Sequence, residues 1–197
     1  GQLTVKMLRA NGCRVLGTDL DASMVALAER YGAVGMPVDQ ADARCRELTG
    51  GIGVDAVLVC AGTHSNAPIE LCGRVTREKG RVVVVGAVRM DIPREDFFRK
   101  EISVVISRSY GPGRYDPRYE ESGNDYPVGY VRFTEQRNMQ TVVELIASGR
   151  LDVKSLITHR FPIDEAPAAY QLIEGEKTEP YLGIVINYAG VAIDELP

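Results

Sequence analysis

Two hydrophobic rhythms alternate along the first half of this chain. Leu3, Met7 and Leu8 recur at helical spacing through residues 2–11, and Gly12 is placed to stop that helix. Residues 13–18, CRVLGT, are a short apolar run that suits a buried strand. Asp21 can cap a second helix, ASMVALAERY, with Met24, Leu27 and Ala28 inward and Gly32 ending it. VGMPVD is a weak strand or turn, and QADARCRELTGG a polar helix stopped by a glycine pair. VDAVLVCAG is a strand apolar on both faces. Asn66 and Pro68 open a helix that should end near Lys79 and Gly80. RVVVVGAV is the most strand-like stretch, followed by a short helix, PREDFFRKE, and a strand, ISVVISRS.

Strands written as continuous apolar runs, alternating with amphipathic helices, specify a parallel sheet covered on both faces. The second half differs. Residues 109–131 hold Gly, Pro and tyrosines without a period, and so long a loop is usually functional or an interface element. Thr134 caps a helix, EQRNMQTVVELIAS, closed by Gly149. LITHRF is a strand. Asp164 is placed to cap EAPAAYQLIE, with Ile163 as a hydrophobic staple and Gly175 as the stop. YLGIVINY is a last strand.

Composition changes this picture little. Apolar residues make up 45 % and charged residues 25 % of 197, as in ordinary globular proteins. A net charge of −4 gives no electrostatic case for nucleic acid, and no apolar run is long enough for a membrane span. Without a basic-then-apolar leader, and with Cys13, Cys45, Cys60 and Cys72 widely spaced, the expectation is a cytoplasmic protein with reduced thiols. Only His64 and His159 could join those cysteines, so no metal site is expected.

The candidate chemistry lies at the strand ends. In a nucleotide-binding βαβ unit a glycine-rich turn opens a helix whose free N–H groups meet a pyrophosphate, and an acid ends the next strand. Gly1 stands where the last glycine would be, with Gln2 and Leu3 behind it, and Asp19 lies where the ribose-binding acid should. Such an acid accepts from ribose hydroxyls and repels a 2′-phosphate, favouring NAD over NADP. The bland alternative is a helix that follows any glycine and an aspartate that merely ends a strand. VDAVLVCAGT and GRVVVVGAV also end in small residues, at the carboxyl edge where such sheets bind ligands.

The stretches GQLTVKMLRANGCRVLGTDLD, AERYGA, GVDAVLVCAGT, KGRVVVVGAV and HRFPIDEAPAAYQLIEG together resemble the medium-chain dehydrogenase/reductase superfamily, the zinc-alcohol-dehydrogenase-like enzymes. More narrowly, SRSYGPGRYDPRYEESGNDYPVGYVRFTEQRNM is similar to the long insertion of two-part oxidoreductases. In those, such a half is fused to a glucose–fructose-oxidoreductase-type dehydrogenase. The resemblance implies an α/β, Rossmann-like, doubly wound and mostly parallel sheet lacking its usual first strand. It implies an NAD-binding domain over 1–150, with the 109–131 loop, and a C-terminal segment, 151–197, normally associated with a GroES-like catalytic domain. That domain and the first strand are not in this sequence, so the resemblance implies an N-terminally truncated fragment. It assigns the pyrophosphate to Gly1 and the ribose to Asp19. It puts Cys60, Ala61 and Gly62 beside the nicotinamide, Gly86, Ala87 and Val88 at its carboxamide, and Arg108 near its closing segment. No residue matches a family zinc ligand.

The expected function is therefore the nucleotide-binding portion of an NAD(H)-dependent oxidoreductase acting on an alcohol, polyol or sugar derivative, inactive alone. Its partners would be the nicotinamide cofactor, the catalytic domain or a second chain, and copies of itself in a homo-oligomer. The alternative is a non-catalytic truncated Rossmann module that folds or oligomerises without efficient cofactor binding. A methyltransferase is disfavoured, because the fourth family strand ends VCAGT. Two readings of the arginine–tyrosine loop stay open: a sugar or phosphate-sugar pocket, or a packing loop. For the slot of the absent strand, GIVINYAG at 183–190 is the candidate occupant, within the chain or from a neighbour.

Overall fold

A computed structural model describes residues 1–175 and 179–188. In chain order the elements are α1 (Gln2–Ala10), β1 (Leu16–Asp19), α2 (Ala22–Arg30), β2 (Val34–Pro37), α3 (Ala41–Leu48), β3 (Val54–Val59), α4 (Ala67–Val75), β4 (Thr76–Val84), α5 (Arg94–Arg99) and β5 (Ser103–Ile106). A single turn of helix, α6 (Pro117–Glu120), lies in the long loop; α7 (Glu135–Ala147), β6 (Ile157–Pro162), α8 (Ala166–Ile173) and β7 (Gly183–Asn187) follow. Contacts divide the chain into two units, Gly1–Thr141 and Val142–Pro197, with the boundary inside α7.

All strand pairs are parallel. In the first unit β1 pairs with β2, and β3, β4 and β5 form a second sheet with β4 in the middle. This is the alternating α/β fold expected from the apolar runs. Among the described residues no strand hydrogen-bonds between β1 and β3, so each of them has one unpaired edge. A shared apolar cluster ties the two sheets together. Met36, Ala41, Cys45 and Val75 are its buried members, with Leu16 of β1, Val34 of β2, and Val54 and Val57 of β3 packed against them. A second cluster, Val59, Ile69, Cys72, Val82, Val84 and Phe97, lies under α4 and α5. A third joins α1 and α2 through Val5, Val15, Ala28 and Ala33.

Several elements differ from the sequence reading. Helix α4 stops at Val75, short of Lys79. The Lys100 ammonium donates to the carbonyls of Gly73 (2.6 Å), Arg74 (2.9 Å) and Thr76 (3.0 Å), capping the helix end from outside it. Burial lowers the pKa of that ammonium. Asp164 caps no helix: residues Ile163–Glu165 form a 3-10 turn, and α8 starts after Glu165 without a side-chain cap. Asp21 does cap α2, accepting from Ser23 N at 2.8 Å. In the second unit β7 pairs with β6, in register from His159–Ile184 to Pro162–Asn187, with a register shift between Ile157 and His159. The stretch 183–187 thus hydrogen-bonds to β6 and, among the described residues, to neither β1 nor β3; residues 189–190 lie outside the described ones.

Candidate functional site

Three side-chain and backbone links gather the strand ends of the first unit. Gln2, in the first turn of α1, donates from Nε2 to Met24 O at 2.9 Å, which sets that turn beside the start of α2. The α2 start is fixed in turn to the end of β1, where Asp19 Oδ1 accepts from Asp21 N at 3.1 Å. Thr4 Oγ1 lies 3.5 Å from Cys60 Sγ, which sets the same turn against the end of β3. Gly1, Gln2, Leu3, Asp19 and Cys60 therefore lie around one corner.

The ends of β3, β4 and β5 close on one another through the backbone. Val85 N and Gly86 N both donate to Val59 O (3.0 and 2.9 Å), Thr63 N donates to Ala87 O (2.9 Å), and Thr63 forms a bridge with Val88. Ser107 N donates to Val84 O at 2.9 Å, which starts the segment carrying Arg108. Cys60, Ala61 and Gly62 thus face Gly86, Ala87 and Val88 across a tight double turn. A Cβ built at Gly86 would stand 2.0 Å from Ala61 O, so only glycine fits there.

Space at this edge is distributed unevenly. A Cβ built at Gly1 or at Gly62 meets nothing within 4 Å. Gly1 is the N-cap of α1 and offers no side chain, and the first bond within the helix is Val5 N to Gly1 O at 3.0 Å. The N–H groups of residues 2–4 accordingly have no acceptor inside the helix, and they carry its partial positive charge. Gln2 Oε1 is buried without a partner among the described residues. Asp19, Ala61, Gly62 and Ala87 are exposed, and Cys60, Gly86 and Val88 are half-buried. An anion fits the helix start, a hydroxyl donor fits Asp19, and a flat group can approach the backbone at Gly62.

Arg108 projects from the end of β5 into a different neighbourhood. It lies in the lining of a cavity of about 450 Å³ with Ile106, Ser107, Ser109, Tyr110, Gly111, Pro112, Arg114 and Asn138. The sequence reading did not name Thr4, Ser109 or Asn138. A hydroxyl one turn after a helix-opening glycine is a local cue for Thr4; Asn138 reaches Tyr110 O at 2.8 Å across 28 residues, and no local cue marks it. Among the described residues no three His, Cys, Asp or Glu side chains gather in a way that could hold a metal ion. His159 pairs instead with Glu179, Nε2 to Oε1 at 3.1 Å. Among the same residues no helix is long and apolar enough to cross a membrane.

Comparison with known proteins adds the following. The family model described as "Zinc-binding dehydrogenase" matches residues 1–122. An uncharacterized zinc-type alcohol dehydrogenase-like protein of Escherichia coli is 25 % identical over 190 residues, covering 92 % of this chain and 47 % of its own. A sorbitol dehydrogenase of Halalkalibacterium halodurans is 27 % identical over 183 residues, covering 88 % of this chain and 46 % of its own. The chain spans about half the length of these relatives. Among solved structures, an alcohol dehydrogenase from Thermus sp. ATN1 superposes with a TM-score of 0.70 at 21 % identity, over 95 % of this chain and 47 % of that one.

Proposed function

Because the chain belongs to the zinc-binding dehydrogenase family, we propose that it is the nucleotide-binding portion of an NAD(H)-dependent oxidoreductase acting on an alcohol, polyol or sugar derivative. The observation that carries this reading is the meeting of the α1 start, Asp19 and the open Gly62 turn at one edge of the fold. In the proposal the N–H groups of residues 2–4 hold the pyrophosphate. The Asp19 carboxylate accepts from the adenosine ribose and repels a 2′-phosphate, which sets NAD above NADP. Small residues at Cys60, Ala61 and Gly62 let the nicotinamide ring lie against the backbone, and the 86–88 segment offers its carboxamide backbone partners. Bound there, the nicotinamide supplies the hydride chemistry, and the protein supplies position and field.

The described residues do not fit a zinc ion, and no step of the proposal runs through one. In the proposal the chain alone binds the cofactor without turnover. The similarity to a sorbitol dehydrogenase supports a hydroxylated small molecule as the substrate class. A second reading, a Rossmann module that folds or oligomerises without efficient cofactor binding, draws on the unpaired edges of β1 and β3.

Calorimetric titration with NADH and NADPH separates the two. Saturable heat is expected with NADH, with NADPH weaker by roughly tenfold or more, and Asp19→Asn should narrow that gap. Failure to saturate at millimolar NADH would overturn the first reading and leave the second.

A further inference from the structure

The tyrosines of the long loop divide into two groups. Tyr119 and Tyr126 are packing residues: their rings stack 5.5 Å apart, Tyr119 Oη donates to Thr134 Oγ1 at 3.2 Å, and Tyr126 Oη donates to the Asp116 carboxylate. Tyr110 and Tyr115 are instead 59 % and 55 % exposed, beside the cavity at the end of β5. Two guanidinium groups lie against the Tyr115 ring, Arg108 at 4.4 Å and Arg114 at 4.3 Å from its centre, and Arg114 also approaches the Tyr110 ring at 5.7 Å. Ser109 Oγ and Tyr115 Oη are 3.3 Å apart.

Only part of the positive charge at this cavity is balanced. Its lining holds two arginines and no carboxylate. Arg114 is paired with Glu120 through Nη1, while its Nε is buried without a partner. The Arg108 guanidinium has a ring contact but no hydrogen bond or ion pair among the described residues. The Tyr115 phenol is made more acidic by its Ser109 hydrogen bond and by the Arg114 charge beside it. Two residues here, Ser109 (φ 47°) and Tyr115 (φ 66°), hold the left-handed backbone that non-glycine residues adopt at a cost.

We propose that this cavity binds the phosphate group of a sugar phosphate, with Arg108 and Arg114 taking the anion and the exposed Tyr110 face taking the sugar. Guanidinium forks match phosphate oxygens, and aromatic faces suit the C–H side of a sugar ring. A volume of about 450 Å³ falls within the range of small-molecule sites, and a bare phosphate would leave most of it to water. As a statement about substrate, the inference rests on the dehydrogenase reading above; as a statement about binding, it stands on the cavity alone.

The test is calorimetric titration of the full chain with glucose 6-phosphate, glucose and inorganic phosphate, with NADH titrated separately. Glucose 6-phosphate should saturate, inorganic phosphate should bind more weakly, and glucose should give no saturable heat. Arg108→Gln should weaken glucose 6-phosphate binding roughly tenfold or more, the loss of one charge-assisted contact, with an unchanged thermal midpoint. Arg114→Gln should weaken it similarly while leaving NADH binding intact. No saturable heat with glucose 6-phosphate, or unchanged affinity in both variants, would overturn the pocket. Equal affinity for inorganic phosphate would overturn the sugar contact. A null result with NADH alone strikes only the cofactor reading.

Discussion

Gly86 and Gly62 stand across one turn from each other, and they should respond in opposite ways to the same added methyl group. At Gly86 a Cβ would meet Ala61 O at 2.0 Å, Ala61 C at 2.8 Å and Cys60 C at 2.9 Å. All three are backbone atoms, which cannot rotate aside, so the turn must open by about 1 Å. Opening it strains two bonds, Gly86 N to Val59 O and Thr63 N to Ala87 O, both 2.9 Å. Overpacking of this kind costs about 1–3 kcal/mol, and each weakened bond adds about 0.5–1.5 kcal/mol. Gly86→Ala should therefore lose about 2–6 kcal/mol, which corresponds to a fall in melting temperature of about 4–24 °C. At Gly62 the methyl group meets nothing within 4 Å, and the backbone there is not left-handed. Gly62→Ala should keep its stability within about 0.5 kcal/mol, while obstructing whatever approaches the turn, and so weakening NADH. Urea unfolding followed by far-UV circular dichroism measures the first effect, and NADH titration the second. Equal stability of Gly86→Ala and the parent chain, or comparable destabilisation by Gly62→Ala, would refute the geometry.

Lys100→Met removes the ammonium that caps α4 and leaves three carbonyls to find other partners; a loss of about 1–3 kcal/mol is expected, read from the same urea curves. Cys13 is exposed and should react with a chromogenic disulfide reagent in the native state. Cys72 is buried, its thiol pushed up to about 12 by burial, and Cys45 is buried and raised as well, so both should react only on unfolding. Asp42 is held below its ordinary pKa by the Arg46 hydrogen bond, at 2.7 Å. A depressed folded pKa gives stability that is present above the unfolded value and lost as pH falls through the folded one. Asp42→Asn should thus flatten part of the acid limb below about pH 4 in pH-dependent melting.

What could be read from the sequence was local. The apolar runs at β3 and β4, the Asp21 cap and the Leu27–Ala28 face of α2 are each decided within a few residues, and each appears as expected. In α1 the helix was legible but its buried residue was not: Val5 is buried, whereas Leu3 is 44 % exposed. The end of α4 depends on Lys100, 24–27 residues beyond the carbonyls it caps, and no local pattern encodes that. The long loop lacks a period because side chains, rather than a backbone ladder, hold it. Arg137 donates to Arg132 O and Val131 O (2.9 and 2.8 Å) and pairs with Asp125, and Gly113 leaves room for the Tyr119 ring. At the candidate site, residue types at the strand ends were visible in advance. Their convergence was not, since it is made by Gln2 to Met24 and Thr4 to Cys60 across 22 and 56 residues.

The broken ladder between β1 and β3 should leave its mark on amide deuterium exchange. Successive N–H groups along a strand point to opposite sides, so a strand with one neighbour shelters only every second amide. Among the described residues only β4 in the first unit has neighbours on both sides. Uptake should therefore be uniformly slow along residues 81–84 but should alternate, fast and slow, along β1 and β3. The line between labile and protected hydrogens then runs lengthwise down each of those strands.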